Sequence, residues 1–158
     1  MDFSNFIFNG NIDDLHIGAN IKESNLNLEN ITEQEGDIPA LYQLSGNDNY
    51  FQITTLNGLV IGISYDFEYE IDDYWPISFN EHVYSIGYKT NINDFIEFIK
   101  RVKQPFNIID HVHSTEVEIA ESGVSLKFIN TGLSSNLCKA YIFDMSLYNK
   151  IRVRLSDN

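Results

Sequence analysis

Lysine and arginine are nearly missing from the first half of this 158-residue chain, where residues 1–81 hold one base, Lys22, against 15 acids. Residues 82–158 hold nine bases and eight acids, so almost all of the net charge of −13 falls on the first half. Phosphate backbones demand Lys and Arg, so nucleic-acid binding is disfavoured. A lone cysteine, Cys138, excludes an intrachain disulfide. In the apolar setting Leu137-Cys138-Lys139-Ala140-Tyr141 it reads as a small core residue and not as a nucleophile. No run is long enough to span a bilayer, and Met1-Asp2-Phe3-Ser4-Asn5 lacks the basic start and apolar stretch of a secretory signal. The expected location is cytoplasmic, with no membrane partner. No Gly-x-Ser-x-Gly elbow occurs, and Gly58-Leu59-Val60-Ile61-Gly62 lacks both the pattern and the following helix of a phosphate loop. The expectation is a protein that is not an enzyme and carries no cofactor.

Aromatics, by contrast, are plentiful: 11 Phe and 9 Tyr, far more than a disordered acidic chain would hold. The length suits one well-packed core, or two small half-domains sharing one. The densest feature is Tyr65-Asp66-Phe67-Glu68-Tyr69-Glu70-Ile71-Asp72, where acids and large apolar residues alternate without a break. Strand side chains alternate between faces, so Asp66, Glu68, Glu70 and Asp72 form one row about 7 Å apart, twice the strand rise. Four like charges cannot be buried unpaired, and the row must face water, a cation or a basic partner. The spacing fits a row of Lys or Arg, and it also approaches that of phosphates along a nucleic-acid strand. Asp73, Tyr74 and Trp75 extend the patch with two aromatics able to supply interface energy. Two internal alternatives stand beside this reading. Lys150, Arg152 and Arg154 also alternate, opposite Ile151, Val153 and Leu155, and pairing of the two strands would neutralise the acids. Trp75 could equally be a core residue, with Pro76 ending the strand.

Periodicity and turn residues sketch the remainder. Phe3–Phe8 and Ile12–Ile17 read as short strands, and Asn20 as the cap of a short helix to about Leu28. Thr32–Ala40 reads as a loop. Strands are expected over Leu41–Leu44, Tyr50–Thr54 and Leu59–Ile71, the last two joined by the hairpin signal Asn57-Gly58. The strongest helix runs from Asp94 to about Lys103. Asn93 is its expected cap, Lys100, Arg101 and Lys103 lie at its negative end, and Pro105 stops it. Strands follow over Thr115–Ala120, Val124–Ile129, Leu137–Met145 and Lys150–Leu155. The fold class expected is α+β: two helix–strand–strand–strand units, about 10–80 and 90–155 of a single domain, with antiparallel sheets and helices packed on one face. Asp110-His111-Val112-His113 places two histidines on one strand face, and with Glu116 they give a metal-dependent enzyme as an alternative function. A homo-oligomeric module burying Trp75 and its aromatic neighbours is another.

Gly10-Asn11-Ile12-Asp13-Asp14-Leu15-His16-Ile17-Gly18, followed by Asn57-Gly58-Leu59-Val60-Ile61-Gly62-Ile63-Ser64-Tyr65-Asp66-Phe67, carries a resemblance. Ile-Gly, short helix, strand with a Gly turn and apolar strand occur in the same order in the repeat of β-lactamase inhibitor proteins. In outline the chain resembles the small, acidic, two-repeat α+β immunity proteins of contact-dependent growth inhibition and other polymorphic toxin systems. That resemblance implies a toxin as the partner. The charge alone implies only a basic protein partner.

Overall fold

The computed structural model describes residues 3–32, 38–44, 51–67, 74–131 and 134–156. Within these lie three α-helices and ten strands, every described strand pairing is antiparallel, and strand outweighs helix in an α+β fold. The chain divides into two compact units, one of residues 13–65 with 142–158 and the other of residues 1–12 with 66–141.

In the first unit Asn20 caps only a 3-10 turn, Ile21–Glu23, accepting the Lys22 N–H at 3.1 Å. The expected helix goes no further, since Asn25 and Asn27 hold the chain poorly in helical form. Four strands then form an antiparallel meander: β1 (Leu28–Asn30), β2 (Ala40–Leu44), β3 (Phe51–Leu56) and β4 (Leu59–Asp66). Asn57 and Gly58 turn the β3–β4 hairpin with φ of 50° and 76°, the left-handed pair that a two-residue type I′ turn requires. No strand forms over residues 12–17. Asp13 takes a φ of 49° there, and Ile12 and Leu15 are buried from a run of turns.

The tail is helix, not strand. The helix here designated α3 (Met145–Ser156) starts at Asp144, whose Oδ1 accepts the Leu147 N–H at 2.9 Å while its carbonyl accepts from Tyr148 at 3.0 Å. This is a side-chain cap on the third helical residue. Ile151, Val153 and Leu155 alternate, but Leu147, Ile151 and Leu155 also recur at helical spacing. Leu147, Tyr148 and Leu155 pack with Ile151 against Leu56, Leu59 and Ile61. The helical face wins because it buries Ile151 and continues back through Leu147, leaving Val153 exposed. Lys150, Arg152 and Arg154 therefore form no strand row, which removes the alternative of a cross-strand ladder with the acids. Asp144→Ala should cost about 1 kcal/mol of stability in urea unfolding, the usual loss on removing a helix cap.

The second unit opens with α1 (Phe3–Asn9), where an edge strand was expected. Phe3, Phe6 and Ile7 share one helical face and all are buried. Gly10, at φ 73°, ends the helix by donating its N–H to the Phe6 carbonyl at 2.8 Å. A hairpin of β5 (Trp75–Phe79) and β6 (His82–Ile86) follows the acidic segment, with Asn80 and Glu81 in the left-handed region at its turn. Pro76 lies inside β5 instead of stopping a strand, as an exposed residue in a two-stranded sheet can.

Helix α2 (Ile92–Arg101) is capped by Asn91, which accepts the Asn93 N–H at 2.8 Å, so it starts before the expected Asn93 cap. The remaining strands are β7 (Phe106–Asp110), β8 (Ser114–Ile119), β9 (Ser125–Thr131) and β10 (Ser134–Phe143), each paired with the next. One face of this sheet carries Val117, Ile119, Leu126, Phe128, Leu137 and Ala140, all fully buried. The Phe95 ring of α2 lies 6.0 Å from that of Phe128, which places the helix on this face. The other face carries Glu116, Glu118, Lys127, Lys139 and Tyr141.

Candidate protein-binding surface

Asp66 closes β4 and opens the acidic segment. Its Oδ1 stands 3.1 Å from Lys139 Nζ on β10, and both side chains are partly exposed. Such a pair contributes about 0–1 kcal/mol, so Asp66 has an internal partner without being consumed by it. Phe67 turns the opposite way, buried, with its N–H on the Cys138 carbonyl at 2.9 Å. The alternation expected from sequence is therefore present at residues 65–67, with Tyr65 and Phe67 buried and Asp66 outside. Glu68, Glu70, Asp72 and Asp73 lie outside the described residues. Beyond them Tyr74 is 49% exposed, and Trp75 stacks on Phe3 at 5.6 Å with the rings 16° apart.

Phe3 ties the two ends of this segment together. Its ring meets Phe67 edge-on at 5.9 Å and Trp75 face-on, while Phe6 packs at 5.9 Å and 84°. Both residues flanking the acidic stretch thus rest on one buried ring. Trp75 is an internal anchor, and Tyr74 is the aromatic presented outward.

Counting charge by unit and not by sequence half changes its distribution. Residues 13–65 with 142–158 hold ten acids and four bases, or −6; residues 1–12 with 66–141 hold thirteen acids and six bases, or −7. The helical tail brings Lys150, Arg152 and Arg154 to the otherwise acidic stretch 13–65. What remains concentrated is residues 66–73, with five acids and no base. Acids elsewhere have local duties. Asp14, for example, accepts from the Asn25 N–H at 2.7 Å and from Ser24 Oγ at 2.7 Å, and these bonds lower its pKa.

On the polar face of strands β7–β10 Glu116 is only 8% exposed. Tyr141 Oη donates to its Oε2 at 2.9 Å, and His111 Nε2 stands 3.4 Å from its Oε1. Burial first, and the bond to Glu116 second, push the Tyr141 phenol up to about 12. An acid with a raised folded-state pKa keeps its proton longer when folded, so stability is lost as pH rises from about 10 to 12. Tyr141→Phe should reduce this alkaline slope in pH-dependent unfolding, leaving the part due to Tyr84 and Cys138, which burial also raises. It should also cost about 1–3 kcal/mol at neutral pH, because Glu116 loses a donor. A variant retaining the full alkaline slope would contradict the assignment to Tyr141.

His111 and His113 do not share a strand face. They occupy the β7–β8 turn on either side of Val112, and His111 donates its N–H to the Ser114 carbonyl at 2.8 Å. Among the described residues no group of three or more His, Cys, Asp or Glu is placed to hold a metal ion. Cys138 donates its thiol to the Lys127 carbonyl at 3.3 Å, and burial raises its pKa, which keeps it in the unreactive thiol form. No described helix is long and apolar enough to cross a membrane. The β5–β6 hairpin, β7 and the Tyr141–Glu116 bond are not among the features expected from the sequence. Alternation in Ser114-Thr115-Glu116-Val117-Glu118-Ile119 places Glu116 opposite the buried Val117, but a partner 25 residues away has no local signature. Comparison with protein-family models, curated proteins and solved structures finds no match to this chain.

Proposed function

We propose that this chain is a cytoplasmic immunity protein. It neutralises a cognate toxin of a bacterial contact-dependent growth inhibition or related polymorphic toxin system by covering an essential basic surface. The observation that carries the reading is the segment 66–75: five acids without a base, flanked by two aromatics resting on Phe3 and one exposed tyrosine. A basic nuclease domain is the partner that this chemistry suits best. Carboxylates that alternate with apolar residues along the sequence offer the negative charge that a phosphate-binding cleft is built to receive. Tyr74 then adds contact area beside the charge, as interface aromatics do.

The test is co-purification with the C-terminal domain of a toxin encoded directly upstream, followed by binding measured across salt. Opposite-sign steering weakens within a Debye length of about 10 Å at 0.1 M salt, so association should slow at least ten-fold between 20 and 500 mM. A complex whose association rate is flat across that range would remove charge from the account. Failure to bind any such toxin domain would remove the toxin.

A further inference from the structure

Strand β7 ends its sheet, and the arrangement of its backbone bonds leaves one edge open. It pairs with β8 alone among the described strands, in a continuous register from Phe106↔Ile119 to Asp110↔Thr115. The Pro105 carbonyl accepts from Ala120 N–H at 2.9 Å, and His111 N–H donates to Ser114 at 2.8 Å. Bonded and non-bonded pairs alternate in an antiparallel ladder. Asn107 and Ile109 therefore turn their backbone groups toward β8, while Phe106, Ile108 and Asp110 turn theirs outward. No backbone bond reaches those outward groups from another described residue. Natural edges are blunted by shortness, lysine, proline or a bulge. In the first unit the edge strand β1 is three residues long with exposed Glu29 at its centre. Strand β7 has none of these guards, and its Ile108 is 50% exposed.

We infer that β7 accepts an added strand from a partner: an extended segment in which Lys or Arg alternates with apolar residues. Backbone pairing with Phe106, Ile108 and Asp110 would supply the affinity, and side-chain alternation the selectivity. Charge decides the occupant. The β7–β8 hairpin, 106–119, contains no Lys or Arg, and with Glu116 buried and held by Tyr141, Asp110 and Glu118 are the acids left to meet a partner. A second copy of the chain would bring the same acids against them. A basic segment would complement them instead. Glu118, held by Asn107 Nδ2 at 3.0 Å, lies two strand spacings, about 10 Å, from the added strand. An extended Lys or Arg on the Asn107 face spans that gap, and apolar residues on the other face lie beside Ile108. The inference uses none of residues 66–73 and does not rest on the toxin reading.

The test uses a labelled ten-residue peptide of alternating Lys and Val, with a Glu–Val peptide and a Lys–Val peptide of scrambled order as controls. Fluorescence anisotropy should show the alternating peptide binding at least ten-fold more tightly than either control. Hydrogen exchange should show the Phe106, Ile108 and Asp110 amides slowed ten-fold or more on binding. Ile108→Pro removes an N–H that β8 does not use and should reduce binding at least ten-fold, while Ile108→Thr keeps that N–H and should bind within about three-fold of wild type. Unchanged unfolding transitions would establish that both variants are folded. Unaltered exchange at those three amides, or equal binding of all three peptides, would overturn the inference. So would a wild-type dimer that Ile108→Pro converts to monomer, because the occupant would then be a second copy.

Discussion

Phe3→Ala should destabilise the protein by about 3–5 kcal/mol, the usual range for removing a buried phenylalanine ring, and should also weaken partner binding. Phe3 is 2% exposed and touches Phe6, Phe67 and Trp75. Truncation leaves a cavity bounded by the residues that flank the acidic segment, so the loss of packing falls where that segment is anchored. Phe128→Ala is the control, since this ring is fully buried against Phe95, among the residues facing α2. Both variants should lose similar stability by urea unfolding. At a temperature where both remain folded, only Phe3→Ala should bind the toxin domain less tightly, by several-fold or more. Equal binding by the two variants would show that anchoring through Phe3 is irrelevant to recognition.

The contrast between these two rings also shows what the sequence made legible. Phe128 sits in an alternating strand between clear turns, and its burial follows from period two alone. Phe3 sits in a seven-residue aromatic stretch where strand and helix both place apolar residues inward. Only the packing of Phe3, Phe6 and Ile7 on one side, and a glycine cap, decides for helix. The tail posed the same ambiguity. A period-two reading of Lys150–Leu155 satisfies six residues, whereas a helical reading satisfies Leu147, Ile151 and Leu155 together and gains the Asp144 cap. Turn chemistry was more dependable, because Asn57-Gly58 needs no tertiary contact to favour its conformation.

Charge was legible as a count but not as a distribution. The division at residue 81 assigns −14 to one half and +1 to the other, whereas the folded units carry −6 and −7. The difference arises because terminal segments belong to units built mostly from distant sequence. Of the expected binding residues, Asp66, Tyr74 and Trp75 are described, and Trp75 proves to be an anchor. The ladder that was to neutralise the acids depended on a strand that is a helix, and Lys139 is the base beside Asp66. Nothing local in the sequence marks Lys139 for that role, because strand register and a bulge in β10 place it.

Reversing Asp66, Glu68 and Glu70 together to lysine should abolish protection of cells producing the toxin. The change takes residues 66–73 from five acids and no base to two acids and three bases, that is from −5 to +1. A basic partner surface would then meet repulsion where it had met attraction, and juxtaposed like charges cost several kcal/mol at an interface. The fold should survive. Among the described residues the Asp66–Lys139 pair is lost, at about 0–1 kcal/mol, and the second unit's net charge of −7 falls toward zero. Reversal of Glu29, Glu97 and Glu121, all exposed acids outside the segment, alters net charge equally. That variant should keep protection, with association slowed less than ten-fold, because screening confines its field to about 10 Å. Full protection by the 66/68/70 variant would exclude this segment as the recognition surface. Equal loss in both variants would make net charge, and not position, the determinant. The contrast between the two reversals therefore measures whether the alternating carboxylates act as a shaped row or only as part of an acidic protein.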